Sequence, residues 1–317
     1  METLSFYKVA ILNKAGEEQV LNRFNGEVDF LEICDNFYNF LTNNIIHYFD
    51  NNGNKRTFSI SSEVQYSKDT RSISTYFDSA YTGQSLDIRN GVTNELVYPV
   101  SKKEFQSRKM FSFFYIPKNS KYGYVVFQNK SKHGIKVVFE TQSQKFLNES
   151  GYKDYRIILS PGLNFNYLSK MIENGKLKKV RLINYILSQD IQMSLWDSIN
   201  LSSKDHEIRE LKFNSKTENN LFKQELNSLF FSKLINNEKI NFMGEYEVDE
   251  ISFEITCDGC SKTFYVKDRS KVRPNVNVSS GMEYISGEPT NDSMVKISLG
   301  LINDLRSYKD LDFIEAA

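Results

Sequence analysis

The chain has 317 residues, enough to bury a substantial core and to form one large or two moderate domains. Its 40 basic and 40 acidic residues cancel, so attraction of a polyanion by net charge is excluded and only local patches remain. Hydrophobic residues make up 40% and charged residues 25%, which excludes disorder of the whole chain, and the 24 Phe and 18 Tyr favour strands.

Cellular location is the next property that the sequence addresses. The first residues lack a basic region followed by a long apolar core, and no apolar run approaches the roughly 18 residues of a membrane span. The three cysteines, Cys34, Cys257 and Cys260, are too few and too unevenly placed for a disulfide framework. We therefore expect a soluble cytoplasmic protein without membrane insertion.

The N-terminal part of the chain is predicted to be rich in strands. Residues 4–12 form a continuously apolar strand, and an amphipathic helix follows Asp29, its N-cap, with an apolar stripe that runs from Phe30 to Tyr48. Strands are predicted through SISTYFDSAY and ELVYPV. Residues 111–116 and 122–128 read as a β-hairpin, after which the apolar period changes to that of a helix beyond Gly134.

Domain boundaries follow from where these patterns stop. A strand, a short helix that ends near Gly175 and another strand complete an N-terminal domain at 1–187, and a polar segment at 188–214 reads as a linker. Residues 215–317 contain an amphipathic helix, a hairpin closed by a type I′ turn at Asp258-Gly259 and a last helix from Met294. The predicted fold class is α+β: an N-terminal mixed or antiparallel sheet domain with packed helices, then a smaller α+β domain with a β-hairpin.

The two cysteines of the Cys257-Asp258-Gly259-Cys260 segment have the spacing of a zinc knuckle or a redox pair. A structural zinc site needs four ligands, and neither a second such pair nor suitably spaced histidines exist in the sequence. The alternative is that the Asp-Gly turn fixes the spacing and the cysteines are incidental. We favour the turn and predict no metal.

A run of acidic residues is the second candidate for chemistry. These residues alternate along a predicted strand and could bind a divalent cation; they are Glu245, Glu247, Asp249, Glu250 and Glu254. A nuclease site of the Asp and Glu-x-Lys type lacks its lysine here, since Glu254 is followed by Ile255 and Thr256. A solvated acidic face is therefore predicted. No Walker A loop, GxSxG, HExxH or GxGxxG after a strand occurs, so no catalytic residue or cofactor is predicted.

Basic residues gather in loops and strand ends, where they suit phosphate contacts that set affinity without reading sequence. Lys102, Lys103, Arg108 and Lys109 precede the central hairpin. The residues predicted to bind nucleic acid are Lys176, Lys178, Lys179, Arg181, Lys130, Lys132, Lys267, Arg269, Lys271 and Arg273. Strand alternation places Lys176 and Lys178 on one face and Lys179 on the other. The alternative for each patch is a solubilising surface.

The order of elements supplies one resemblance. The strand FYKVAIL, a helix, several strands, then FSFFYIP, YGYVVFQN, a glycine and an amphipathic helix ending KFL resemble the arrangement in RexA-like phage exclusion proteins. The order is also similar to that of the DNA-binding subunit of the Kiwa antiphage system, and in both comparisons it covers roughly residues 4–187. The resemblance implies a cytoplasmic, oligomeric, DNA-binding protein of antiviral defence, of the abortive-infection or superinfection-exclusion type, that commonly acts with a partner. We predict that the oligomer is a homodimer and that the partner is a second defence protein encoded nearby. It assigns no catalytic residue.

Two functions of different classes remain open. The preferred one is a defence protein that binds nucleic acid, double-stranded DNA before RNA, through basic loops and without chemistry of its own. The alternative is a metal-dependent nuclease or abortive-infection toxin that uses carboxylates such as Asp249, Glu250 and Glu254.

Overall fold

The structure is a computed structural model that describes residues 2–50, 53–81, 85–130, 134–185, 206–213, 220–232 and 238–307. Within these ranges the protein is mixed α+β, which confirms the predicted class. The α-helices are α1 (Phe30–Asn43), α2 (Lys136–Glu149), α3 (Phe165–Asn174), α4 (Asn220–Phe231) and α5 (Asn291–Ser307).

Strands form most of the remaining regular structure. In chain order they are β1 (Thr3–Leu12), β2 (Ile46–Phe49), β3 (Lys55–Ile60), β4 (Gln65–Ser67), β5 (Ser72–Tyr81), β6 (Leu86–Arg89), β7 (Leu96–Val100), β8 (Gln106–Tyr115), β9 (Gly123–Asn129), β10 (Arg156–Pro161), β11 (Lys176–Tyr185), β12 (His206–Lys212), β13 (Ile240–Phe242), β14 (Tyr246–Val248), β15 (Glu250–Cys257), β16 (Cys260–Tyr265), β17 (Asn275–Asn277), β18 (Tyr284–Ile285) and β19 (Glu288–Pro289). All of their pairings are antiparallel.

The chain divides into two compact units. The first unit contains Met1–Gly162 and Asn275–Asn303, and the second contains Leu163–Pro274 and Asp304–Ala317. The predicted division placed 1–187 in the N-terminal domain, whereas β11 pairs with β12 and β15 of the second unit. Conversely, β17 returns from late in the sequence to pair with β1 of the first unit.

The first unit is built on a curled nine-stranded sheet. Its main path runs β10-β1-β9-β8-β5-β3-β2, with β17 added to β1 and β4 to β5. One face packs against α1 and α2 through an aromatic core in which Phe37, Phe77 and Phe127 all contact Phe139. Alternate residues such as Phe113 are also buried, so the sheet places apolar side chains on both faces.

The central hairpin and the first helix test the local predictions. The hairpin is confirmed, because β8 pairs with β9 from Ser112 opposite Phe127 to Tyr115 opposite Tyr124. The N-cap is confirmed as well, since Asp29 accepts a hydrogen bond from the Leu31 N–H. The helix is shorter than its predicted stripe: it ends at Asn43, and Ile46–Phe49 form β2.

The second unit contains a four-stranded sheet in the order β12-β11-β15-β16. Helices α3 and α4 contribute Leu168 and Phe230 to its core, where Phe253 and Phe264 stack with ring centroids 4.8 Å apart. Gly175 ends α3, and a Cβ there would lie 2.4 Å from the Ile255 side chain, so close packing requires the glycine.

The hairpin of β15 and β16 closes through the predicted turn. Asp258 and Gly259 have φ of +47° and +75°, which confirms the two positive-φ positions of a type I′ turn. Cys257 lies opposite Cys260 at the last paired position. The spacing of the cysteines is thus the spacing of a two-residue turn.

Part of the segment predicted as a polar linker is a strand. β12 lies within 188–214 and pairs with β11 from Lys212 opposite Lys179 to His206 opposite Tyr185. Its sequence is HEIRELK, and it lies at the edge of the sheet. An edge strand needs few apolar residues, which is why its polarity resembled a linker. The rest of that range, apart from residue 213, lies outside the described residues.

Candidate nucleic-acid interface

A groove of about 710 Å³ in the first unit brings together cations that are separated in sequence. Arg108, Lys109 and Lys130 line it, of which only Lys130 belongs to the predicted binding residues. Hydroxyl-bearing side chains make up much of the remaining wall; they are Ser62, Ser74, Thr75, Tyr76 and Ser107. We call this set of residues and their immediate neighbours the groove.

Strand pairing places the three cations at one end of the central strands β8 and β9. Arg108 and Lys109 lie near the start of β8, and Lys130 follows the end of β9 directly. Because β8 and β9 are antiparallel, the start of one strand lies beside the end of the other. The Arg108 Nη1 donates a hydrogen bond of 3.4 Å to the Lys130 carbonyl oxygen, which ties the two positions together.

The hydroxyl side of the groove is held by hydrogen bonds to Gln65. Ser74 Oγ donates to Gln65 Oε1 over 3.1 Å, and Asn291 Nδ2 donates to the same oxygen over 2.8 Å. Burial raises the pKa of the Tyr76 phenol, and the Glu288 and Glu2 carboxylates raise it further. Tyr76 therefore stays protonated at neutral pH and presents a hydroxyl donor.

Two carboxylates moderate the positive charge of the groove. Glu63 and Glu288 line the same groove as the three cations, and Lys130 Nζ lies 3.2 Å from Glu288 Oε2. The Glu288 side chain is 74% exposed and that of Lys130 27% exposed. An exposed pair of this kind contributes about 0–1 kcal/mol, so a phosphate oxygen can compete for the lysine. The groove thus offers cations and the Tyr76 hydroxyl to a phosphate-bearing ligand, whereas Ser74 and Thr75 donate to acceptors within the fold.

The cations of β11 do not lie on the sheet faces that regular strand alternation predicted. Lys176 is opposite Thr256 and Lys179 opposite Glu254, which leaves Lys178 as the extra residue of a β-bulge. The bulge resets the alternation, so Lys179 lies on the same face as Arg181, away from the buried Val180. The expectation that Lys179 lies opposite to Lys176 is therefore wrong, because it assumed a regular strand.

Two of the four predicted β11 cations, Lys179 and Arg181, already have carboxylate partners. Lys179 Nζ lies 3.0 Å from Glu254 Oε2, and Arg181 Nε lies 2.5 Å from Glu210 Oε2. Lys212 of the edge strand shares Glu210 at 3.5 Å. The outer face of this sheet therefore alternates in charge. Within the described residues, no ion pair of Lys176 or Lys178 is found.

Two cations of the loop after the β15–β16 hairpin, Lys267 and Arg269, form hydrogen bonds that fix the loop to the rest of the unit. Lys267 donates through Nζ to the Glu238 carbonyl oxygen, and Arg269 Nη2 donates to the Ser232 carbonyl oxygen over 2.5 Å. The Arg269 guanidinium also lies 5.4 Å from the centre of the Phe230 ring. Burial lowers the pKa of Arg269 to about 10. Both side chains are therefore engaged within the fold.

The remaining predicted cations differ in their surroundings. Lys271 Nζ pairs with Asp268 Oδ2 at 2.9 Å. Arg273 is exposed, and its carbonyl oxygen accepts a hydrogen bond from Lys262. Lys132 lies outside the described residues. Of the loop cations, Arg273 is thus the one that the described contacts leave most accessible.

The acidic strand contains a buried carboxylate rather than a uniformly solvated face. Glu250 is 2% exposed and accepts hydrogen bonds from the backbone N–H groups of Ile251, Lys267 and Asp268 at 2.9, 3.0 and 2.9 Å. The prediction of exposure is wrong for Glu250, since the chain folds back over it at 267–268. This carboxylate serves as an acceptor that fixes the loop.

The other carboxylates of the nuclease alternative are also engaged. Asp249 Oδ2 accepts from the Tyr185 N–H over 2.7 Å, and Glu254 pairs with Lys179. In the described parts of the chain, no group of three or more His, Cys, Asp or Glu side chains could hold a metal ion. The geometry therefore gives no particular support to a metal-dependent reaction at these residues.

The cysteines at the hairpin end have the environment of a turn. Neither cysteine forms a disulfide, and both are half-buried. Partial burial raises the pKa of Cys257, and the neighbouring Asp258 carboxylate raises it further. A raised pKa disfavours the thiolate that redox or metal chemistry needs.

Lys262 is a buried amine that is not among the residues predicted to bind nucleic acid. It is 6% exposed, and its Nζ donates to the Arg273 carbonyl oxygen over 2.6 Å. Burial lowers its pKa to about 7. The alternation of buried and exposed residues along β16 could have predicted this burial, because Lys262 lies on the same strand face as the buried Phe264.

Comparison with protein-family models and with curated proteins gave no match to this chain. No family is therefore assigned here, and the resemblance to RexA-like exclusion proteins stays a prediction from the order of elements. No helix among the described residues combines the length and apolarity needed to cross a bilayer. What the structure does offer is a groove lined by three cations at one end of the central strands β8 and β9.

Proposed function

We propose that the protein binds nucleic acid, most directly double-stranded DNA, through its phosphate backbone and without chemistry of its own. The observation that supports this most is that Arg108, Lys109 and Lys130 all line one groove, which Tyr76 also lines. Arg and Lys are the usual phosphate contacts in nucleic-acid complexes, and hydroxyl groups add neutral donors. These groups position a backbone but do not select a sequence.

The charge balance of the chain sets the expected character of this binding. With no net charge to steer association, affinity comes from a few local contacts, so it is modest, tolerant of sequence and steeply dependent on salt. The carboxylates of Glu63 and Glu288 weaken it further. Single-stranded RNA offers the same phosphates, and a parallel titration with RNA decides between them.

Lys176, Lys178 and Arg273 of the second unit are proposed as additional phosphate contacts. No ion pair occupies them within the described residues, whereas Lys179, Arg181 and the other loop cations are held by partners. Their contribution is predicted to be smaller than that of the groove, because they lie singly rather than around one cavity.

The biological role that we propose is antiviral defence in the cytoplasm, through abortive infection or superinfection exclusion. It is supported by the order of strands and helices over residues 4–187 that is similar to RexA-like proteins. The same resemblance supports a homodimer and a second defence protein encoded nearby. Binding to DNA would then provide the signal that such a partner acts on.

A titration of labelled duplex DNA followed by fluorescence anisotropy tests the binding site. The groove variant replaces Arg108, Lys109 and Lys130 with Ala. A matched control replaces three exposed lysines, Lys118, Lys121 and Lys153, and removes the same charge. Lys118 and Lys121 follow the other end of β8, which is ten residues or roughly 30 Å long. We expect the groove variant to lose at least tenfold in affinity and the control to lose less than threefold.

A gain of binding provides the complementary result. Glu288→Gln removes the carboxylate that pairs with Lys130 and should strengthen DNA binding severalfold at low salt. Equal losses in the groove variant and the control, together with no gain in Glu288→Gln, would refute the groove as the site. Including Mg²⁺ and a chelator in parallel reveals cleavage, which would favour the nuclease alternative instead.

A further inference from the structure

A β-arm in the first unit forms a two-stranded sheet of its own. The arm consists of β6, β7 and the connection at residues 90–95 between them. Within the described residues, β6 pairs only with β7 and neither strand joins a larger sheet. Every residue of β6 and all but the last of β7 are exposed. A two-stranded hairpin without further packing is marginally stable in water, so the arm needs another surface.

The arm exposes apolar side chains that a solvated hairpin does not require. Leu86, Ile88 and Tyr98 are 37%, 48% and 47% exposed, and Val97 is 63% exposed. Leu86 lies opposite Val100 and Ile88 opposite Tyr98, so one side of the ribbon is continuously apolar. Contiguous exposed apolar patches on a protein surface mark association sites.

The two outer edges of the arm differ in what they can bind. Pro99 lies opposite Asp87 and has no N–H to donate. A proline is tolerated where its nitrogen faces away from the partner strand, so the outer edge of β7 lacks a donor at this point. By the same alternation, the N–H and C=O of Asp87 point to the outer edge of β6. That edge is therefore the one open to another strand.

We propose that the arm is the interface of the proposed homodimer, on which this inference rests, and that β6 pairs there with β6 of a second copy of this chain. The pairing is antiparallel about a two-fold axis at Ile88 and makes a four-stranded sheet from two marginal hairpins. In this register Asp87 of one copy lies opposite Arg89 of the other, and the same contact repeats across the axis. The outward N–H and C=O of Asp87 then bond to the second Arg89, and the two Ile88 side chains meet at the axis.

The charges of the arm favour a second copy of this chain, and not nucleic acid, as its binding partner. The charged residues of the arm are Asp87, Arg89 and Glu95, which sum to −1. A ribbon that enters a DNA groove needs the opposite sign. In contrast, the Asp87 and Arg89 pair is complementary to itself under a two-fold axis. The two side chains are 50% and 47% exposed and 3.0 Å apart within one chain, so they are accessible for exchange with the second copy.

A charge-swap series tests the register. Asp87→Arg alone places arginine opposite arginine, and Arg89→Asp alone places aspartate opposite aspartate, so each should raise the dimer dissociation constant at least tenfold. The double variant Asp87→Arg with Arg89→Asp restores opposite charges and should return that constant to within threefold of wild type. Sedimentation velocity against the 36.9 kDa chain mass measures all four proteins. Far-UV circular dichroism checks that each variant is folded.

Cross-linking tests the position of the axis. In a non-hydrogen-bonded antiparallel pair the facing Cα atoms are about 4.5 Å apart, which is within disulfide range. Ile88→Cys, with Cys257 and Cys260 replaced by Ser, should therefore form a covalent dimer under mild oxidation. Val92→Cys in the same background is the control, since Val92 is 95% exposed but lies far from the proposed axis.

Each possible outcome of these experiments either supports or overturns the pairing of β6 with β6 of a second copy. A wild-type protein that stays monomeric up to its solubility limit overturns the proposal. A dimer that is unaffected by the single charge reversals, or a Val92→Cys variant that cross-links as well as Ile88→Cys, also overturns it. Dimer loss in the single variants, recovery in the double variant and selective cross-linking of Ile88→Cys support it. None of these readouts depends on DNA binding, so failure of the groove and failure of the arm are distinguishable.

Discussion

The ion pair between Asp29 and Arg71 should hold the first unit together more strongly than any surface pair. Arg71 Nη1 and Nη2 donate to the two Asp29 carboxylate oxygens at 2.7 and 2.9 Å, and Arg71 Nε donates to the Ile116 carbonyl oxygen at 2.8 Å. The same carboxylate caps α1 through the Leu31 N–H. One pair therefore links the start of a helix with the chain before β5 and after β8.

The cost of breaking the pair can be worked from its burial. The Arg71 and Asp29 side chains are 9% and 19% exposed, and removing one partner of a buried pair costs about 3–5 kcal/mol. Asp29→Asn keeps the cap and one acceptor oxygen, so we expect it to lower the free energy of unfolding by about 3 kcal/mol. Asp29→Ala also loses the cap, which adds about 1 kcal/mol.

The stabilisation that the ionised Asp29 provides should decrease as the pH falls. Burial alone raises the pKa of Asp29, but hydrogen bonds from Arg71 and the Leu31 N–H and the Arg71 charge lower it below its ordinary value. A carboxyl with a lowered pKa in the folded state stabilises the protein above the unfolded pKa and loses that contribution as pH falls. The stability gap between wild type and Asp29→Asn should be full at pH 7 and shrink below about pH 4.

Urea denaturation at pH 7 and at pH 3.5 measures these quantities. Arg71→Lys is the matched control, because it keeps the charge and removes the two-pronged geometry. The reasoning is refuted if Asp29→Asn and Asp29→Ala both unfold within about 0.5 kcal/mol of wild type, which is the range of ordinary surface changes. A wild-type to Asp29→Asn gap that stays constant with pH would refute the electrostatic part alone.

Two further predictions concern the second unit. The double variant Cys257→Ser with Cys260→Ser should keep a stability near that of wild type. Gly259→Val should instead cost at least about 1 kcal/mol, because it forces a β-branched residue to positive φ. A metal analysis that finds one zinc per chain, lost in the double variant, would contradict the turn interpretation. Glu250→Gln should cost about 2 kcal/mol, because its amide leaves one of the three N–H groups without an acceptor, and Glu250→Ala about 4, because it leaves all three without one. Equal urea midpoints for both variants and wild type would contradict this.

Elements set by local sequence were predictable. The Asp258-Gly259 turn needs two positive-φ residues and nothing from elsewhere in the chain, and Asp29 caps the helix that directly follows it. The central hairpin of β8 and β9 likewise joins neighbouring segments. In each case the residues that decide the structure lie within a few positions of one another.

Features set by distant contacts were not predictable in the same way. The bulge at Lys178 arises from the register of β11 against β15, and Glu250 is buried because residues 267–268 return to it. β17 pairs with β1 across the whole sequence, which is why the division into units differs from the predicted one. The groove was missed for this reason as well: Lys130 meets Arg108 and Lys109 only after β8 and β9 pair.

The salt dependence of DNA affinity measures the proposed function most directly. The logarithm of the association constant is plotted against the logarithm of salt concentration for wild type, the groove variant and the lysine control. Each phosphate contact contributes about 0.9 to the slope, so the groove variant should be flatter by up to about 3 and the control should keep the wild-type slope. Wild-type protein that fails to bind duplex DNA even at low salt, or a groove variant with an unchanged slope, would contradict the account.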